Sequence, residues 1–458
     1  MNLRTTLTVL IIFVGITQGM SKGGSLPLDE FARRRAIFLD ELRELDAIAI
    51  LHSAPELERN HDVEFPYRQE SNFIYLTGWS YPNAILVLSP HVENSGLAEV
   101  SLFVNPRDAK REIWTGPVEG IEEALLHPGV DQAMAYDNFM DSLPKLAKGF
   151  ERLVISYGGD TEFRTEMRSF IDDSRVHPTI VQEAASLIKA HRLIKSETEI
   201  QAMQKAIDVT GASLMETFPL IPKLNYEYEV QAEIEYGFKK RGSPRLGFPC
   251  IVGAGKNSTF LHYRDNHGKL DSNSVILMDV GAEWDFYSAD ITRTVPVSGK
   301  FSKEQAQIYQ LVLDAQTAAI ESLKPGVDFG ETNKIASEVI TAGLVKLGLL
   351  SGDVETLIAE RKYRKFFMHG TSHWLGLDVH DAGGYVNADG EKHKLKAGMV
   401  LTVEPGIYIS ESEDVDPKWW NIGVRIEDDV LITKRGNRVL SAEIPKTIED
   451  IEAIIQAR

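Results

Sequence analysis

The sequence predicts an α/β domain over residues 25–175 followed by an α+β domain over 180–458. Three observations carry that expectation. At 458 residues the chain exceeds what one hydrophobic core organises, and a hydrophobic content of 43% is enough for two. In the first third, apolar strand-like runs alternate with helical stretches. Beyond a break near Ser174 to Pro178, helices with strong start and stop signals alternate with strand runs in two similar halves.

The elements follow in order. Leu28 to Leu45 reads as a helix, and Ala47-Ile48-Ala49-Ile50-Leu51, Ala84-Ile85-Leu86-Val87-Leu88 and Ser101-Leu102-Phe103-Val104 as strands. After the break, Ser196-Glu197-Thr198-Glu199 is a capping box that opens a helix to about Phe218, where Pro219 stops it. A second helix runs from Tyr226 to Arg241, closed by Gly242 and Pro244. Ser302-Lys303-Glu304-Gln305 opens a third to Leu323, stopped by Lys324-Pro325-Gly326, and Glu331 to Leu347 forms a fourth, ended by Gly348. Strands lie between and after these helices. No low-complexity tract or short repeat interrupts them.

At the start, Met1-Asn2-Leu3-Arg4 leads into an apolar stretch from Leu7 to Ile16 and the small residues Thr17 and Gly19. This pattern predicts a signal peptide over residues 1–19 and an exported, periplasmic or secreted protein. An uncleaved N-terminal membrane anchor is the alternative, although the apolar run is shorter than the roughly 20 residues a spanning helix needs. Cys250 is the single cysteine and excludes any intrachain disulfide. Net charge is −18; residues 1–19 carry only Arg4, so the remainder holds 48 basic against 67 acidic residues, a balance of −19. Such a surface repels nucleic acid and anionic lipid, which removes both as expected partners.

The chemistry concentrates in the second half. Asp279 closes the run Val275-Ile276-Leu277-Met278 and Asp290 opens Ile291-Thr292-Arg293-Thr294-Val295, a spacing that suits a hairpin with the two carboxylates close together. Bare carboxylates so placed repel, and a divalent cation between them relieves this; either one alone reads as an ordinary turn-flanking Asp. His369, His373 and His380 fall within twelve positions of a chain that has 12 histidines. Gly370 argues against a helix there, and no glutamate stands between His369 and His373, so this is not the helical zinc motif. Glu404 ends the strand Val400-Leu401-Thr402-Val403, where an unpaired carboxylate is costly. Arg425 and Glu427 alternate with Val424 and Ile426, which in isolation reads as a strand with one solvated charged face. Gly253-Ala254-Gly255-Lys256-Asn257 lacks the ends of a P-loop, and Gly370-Thr371-Ser372-His373-Trp374 lacks the closing glycine of a nucleophile elbow.

Taken together, these residues resemble the pita-bread metallopeptidases, in particular the proline-directed branch of aminopeptidase P and prolidase. The run His369-Gly370-Thr371-Ser372-His373-Trp374-Leu375-Gly376-Leu377-Asp378-Val379-His380-Asp381 carries the resemblance, as does Asn60 to Gly78 with its Pro66-Tyr67-Arg68-Gln69 core, and Phe103 to Arg107 ahead of Trp114-Thr115-Gly116. The resemblance implies a creatinase-like N-terminal domain and a pita-bread catalytic domain. It implies Asp279, Asp290, His373, Glu404 and Glu427 as ligands of two divalent metal ions, with His262, His369 and His380 around the substrate and Arg425 orienting the carboxylates. One departure is Phe248, at a position where many members have a tyrosine near the metals; the lost hydroxyl leaves a ligand carboxylate with one donor fewer.

Four carboxylates and one imidazole make a hard, oxygen-rich site that suits Mn²⁺, with Co²⁺ or Zn²⁺ as substitutes. The implied reaction is hydrolysis of the Xaa–Pro bond at a peptide N-terminus through a metal-bridging hydroxide, with Glu404 as proton shuttle. The implied partners are peptides with proline second and further copies of the chain, as a dimer or tetramer. Two other readings compete: an Xaa-Pro dipeptidase, which shares all five ligands, and a pita-bread binding protein without catalysis, which would be expected to have lost ligands.

Overall fold

The computed structural model describes residues 26–90, 98–173, 178–386 and 389–457. The expected signal peptide, residues 1–19, lies outside the described residues, as do residues 174–177 of the expected break. Helix Leu28–Glu44 leads into a six-stranded sheet. Its strands lie in the order Gln132–Ala135, Val100–Val104, Ala84–Leu88, Ala47–His52, Arg152–Ser156, Ile180–Glu183. The two central strands, Ala84–Leu88 and Ala47–His52, are buried along their whole length because both faces are covered. Alternate residues divide between two cores: Ile48, Ile50, Ile85, Val87 and Phe103 pack with Phe139, Leu143 and Phe163, while Ala49, Leu51, Leu86 and Leu88 face Phe38, Leu42 and Phe73.

One boundary moves. Ile180–Glu183 pairs in parallel with Arg152–Ser156, so the first sheet extends beyond residue 175 into the stretch expected to begin the catalytic domain. This edge strand is mostly exposed and carries no apolar run, which is the signal that would have marked it.

The second domain has the anticipated helices, at Glu197–Thr217, Glu227–Lys240, Lys303–Ser322 and Glu331–Lys346. Ser196 and Ser302 cap their helices as expected, with Glu199 and Gln305 returning bonds to the cap backbone. Each helix pair precedes a set of strands. In the first set, Val275–Val280 is the middle strand between Ile251–Ala254 and Ile291–Pro296, both antiparallel to it. In the second set, Val400–Val403 pairs with Asp428–Ile432, and Gly406–Ile409 with Ile422–Arg425.

These last pairings form one antiparallel ribbon with a break at Glu404-Pro405 on one strand and Ile426-Glu427 on the other. Proline has no N–H to give to a ladder, so the ribbon cannot continue through residue 405. The freed backbone bonds elsewhere: Glu404 N–H donates to Thr371 O at 2.8 Å and Glu427 N–H to Thr292 O at 3.1 Å. Arg425 and Glu427 are buried, only 3% and 2% exposed, so the solvated-strand reading of this pair fails.

Candidate metal centre

Each part of the centre is set by strand geometry. Asp279 ends the middle strand of the first set, and Asp290 precedes the partner strand that pairs with it. The segment around His373 runs beside Val400–Val403 as an irregular edge: Thr402 N–H donates to His373 O at 3.0 Å, and His373 N–H to Thr402 Oγ1 at 3.1 Å. The glutamates project from the break in the ribbon.

The side chains converge on one cavity of about 770 Å³, whose lining includes all five expected ligands together with His262, His369, His380 and Arg425. Donor atoms of Asp290, His373 and Glu427 lie within 4.8 Å of one another. His373 Nε2 is 3.3 Å from Asp290 Oδ2 and 3.7 Å from Glu404 Oε1. The other ring nitrogen, Nδ1, is 3.1 Å from the Trp374 carbonyl and donates to it, which turns Nε2 toward the carboxylates.

The electrostatics are those of a cation site. Burial, then Glu427, Asp279 and Asp429, drive Asp290 well above the usual carboxylate range. Burial and Glu427 do the same to Glu404. Burial and Asp279 raise Glu427 to about 7. Asp279 Oδ1 is buried with no hydrogen-bond partner among the described residues, and Phe248, which lines the same cavity, has no hydroxyl to offer. Crowded carboxylates, an imidazole nitrogen turned toward them and an orphaned oxygen together fit divalent metal.

Residues 31–155 match the model of the aminopeptidase P N-terminal domain, and residues 201–434 match that of metallopeptidase family M24. The chain belongs to metallopeptidase family M24. It is similar to the Xaa-Pro aminopeptidase of Haemophilus influenzae, with 40% identity over 94% of this chain and 98% of that one. Among solved structures, the aminopeptidase PepP of Pseudomonas aeruginosa matches with a TM-score of 0.88 at 40% identity, covering 94% of this chain and 98% of that one. Escherichia coli aminopeptidase P with the inhibitor Pro-Leu gives 0.88 at 36% identity, covering 94% and 99%.

Around the M24 metal centre the outer residues separate into two groups. His262 and His380 are exposed to the cavity, and the His380 ring lies 4.2 Å from that of His373. His369 is held on both nitrogens: Nδ1 donates to the Gly370 carbonyl at 2.6 Å, and Nε2 accepts from Tyr408 Oη at 2.8 Å. Burial, then the Arg425 charge, lowers its pKa to about 3, so the ring is neutral. Arg425 donates to Tyr408 Oη at 2.9 Å, to Thr292 Oγ1 at 3.1 Å and to Asp279 Oδ2 at 2.5 Å. Burial opposes its charge, but Tyr408, Asp279, Glu427 and Glu404 keep it protonated.

Tyr408 and Thr292 escaped the sequence reading. Thr292 donates to Glu427 Oε2 at 2.7 Å and so couples that carboxylate to Arg425. A signal for it existed: Thr292 is two residues from Asp290 and shares its strand face. Asp429 was missed as well; its Oδ2 accepts from the Asp290 backbone, and burial holds its pKa well up.

Proposed function

We propose that the chain is an Xaa-Pro aminopeptidase, removing the residue before a second-position proline from a peptide N-terminus. One observation carries the reading: all five ligand residues and three histidines meet in a single cavity, in a chain 40% identical to an Xaa-Pro aminopeptidase along nearly its full length. Asp279, Asp290, His373, Glu404 and Glu427 would hold two divalent ions, with Mn²⁺ favoured by the oxygen-rich donors. When bound, such ions polarise the scissile carbonyl and lower the pKa of water for attack.

The chain's own groups do the rest. Glu404, a carboxylate that lines the cavity beside His373, passes a proton from the attacking water toward the departing proline nitrogen. His380 is free to donate to charge developing on the carbonyl oxygen, and His262 faces the peptide from the same cavity. Through Arg425 and Tyr408, His369 is tied into the framework that orients Asp279 and Glu427. We further propose export after removal of residues 1–19, which N-terminal sequencing of the native protein checks.

The activity is tested with Xaa-Pro dipeptides and Xaa-Pro-Xaa tripeptides in the presence of Mn²⁺. Release of the first residue from the tripeptide, with Pro-Xaa left intact, is expected. Cleavage restricted to dipeptides would make the chain a dipeptidase instead.

A further inference from the structure

His380 faces the cavity from residues 376–381, a segment without regular secondary structure, and no hydrogen bond among the described residues holds its imidazole. Its place is therefore set by its backbone, and the residues flanking it are tied down. Asp381 is buried and accepts from both Arg192 and Lys195, the latter at 2.9 Å, and all three are at least nine-tenths buried. Arg192 also donates to Asp378 Oδ2 at 2.7 Å and to Asn72 Oδ1 at 2.8 Å. From the N-terminal domain, Ser71 Oγ donates to Asp378 Oδ1 at 2.6 Å and Arg68 Nη2 to Leu377 O at 2.6 Å. Gly376 makes room for this arrangement, since a Cβ there would stand 2.3 Å from Asp381 Oδ2 and 3.1 Å from Lys195 Cε.

We propose that Arg192 is a positioning residue for catalysis: by bridging Asp378 and Asp381 it fixes the backbone that aims His380, with Ser71 and Arg68 of the N-terminal domain completing the clasp. The N-terminal domain is in this way part of the catalytic apparatus. A guanidinium suits the task because one of its terminal nitrogens, Nη2, donates to both carboxylates while the other, Nη1, reaches Asn72 of the N-terminal domain. The inference rests on the aminopeptidase reading, in which His380 donates to the reacting carbonyl.

A double-mutant cycle tests it. Arg192→Gln lowers kcat on an Xaa-Pro-Xaa peptide by about 10²-fold, with bound metal unchanged and KM moved far less. Arg192→Lys recovers part of the loss. In the His380→Ala background the same Arg192→Gln change costs less than about twofold, because the group it positions is gone. Equal losses in both backgrounds, or full turnover in folded Arg192→Gln, overturn the proposal. If Arg192→Gln does not fold, Ser71→Ala, which strands no buried charge, takes its place in the cycle with the same two readings. A wild-type chain inert toward every Xaa-Pro peptide would overturn the function itself, whereas an active wild type with an additive cycle overturns only the role of Arg192.

Discussion

His373 and His380 lie seven positions apart in one motif and are assigned different work. His373 turns Nε2 toward Asp290 and Glu404, whereas His380 faces open cavity. His373→Ala is therefore expected to lose metal. His380→Ala should keep its metal and lose turnover by about 10²–10³-fold, as for a donor that acts mainly in the transition state. Elemental analysis and steady-state rates on both variants check the contrast, and a reversed pattern would break the assignment. Tyr408→Phe removes the hydroxyl shared by His369 and Arg425. A net loss of about 1.5 kcal/mol for a bond to a charged group corresponds to roughly tenfold in rate if it is felt fully in the transition state; kinetics on the variant reads it directly. At this scale the residues that converge on the cavity were readable because their types and order are so particular. Tyr408 was not, since a hydroxyl in a strand is common and only its partners across the sheet, His369 and Arg425, make it functional.

Among the elements, the helices were the most readable. Their starts rest on local capping chemistry, and the four catalytic-domain helices end within about a residue of where the stop signals put them. Ser302→Ala removes a cap that accepts from Gln305 N–H, and a destabilisation of about 1 kcal/mol is expected with activity retained. Denaturant unfolding measures it; no change would mean that tertiary packing alone holds that helix end. The ribbon break at Glu404-Pro405 was less readable. Pro405 predicts an interruption, but not that the facing strand breaks opposite it and brings Glu427 to the same place. The strand Ile180–Glu183 was invisible for the opposite reason, being an edge with little burial to shape its composition.

Across the whole molecule, buried charge makes stability depend on pH. Burial of Asp290, Glu404 and Glu427 beside one another raises their pKa values above those of the unfolded chain. A raised carboxylate contributes stability below its unfolded pKa and loses it as pH rises through the folded value, which for Glu427 is about 7. Chelator-treated protein should therefore melt at lower temperature as pH climbs through neutrality, and added Mn²⁺ should reverse the drop. Asp428 acts in the other direction. Burial works to raise it, but Arg293 and Lys446 prevail and lower it to about 2, so its contribution is present above the unfolded carboxylate pKa and disappears as pH falls toward 2. Melting curves against pH, with and without metal, separate the two effects. The two-domain plan was plain from length and alternation of elements. What the sequence concealed was the buried clasp from Ser71 through Arg192 to Asp381, because partners 307 and 189 residues apart leave no local pattern.

The most direct test of the central claim is to strip the protein of metal and follow hydrolysis of an Xaa-Pro-Xaa tripeptide while Mn²⁺ is titrated back, for the wild type and for Asp290→Ala. The expected result is an inert metal-free chain, recovery that is complete near two equivalents, release of the first residue alone, and no recovery in the variant. Full turnover without metal, or an Asp290→Ala protein restored as readily as the wild type, would contradict it.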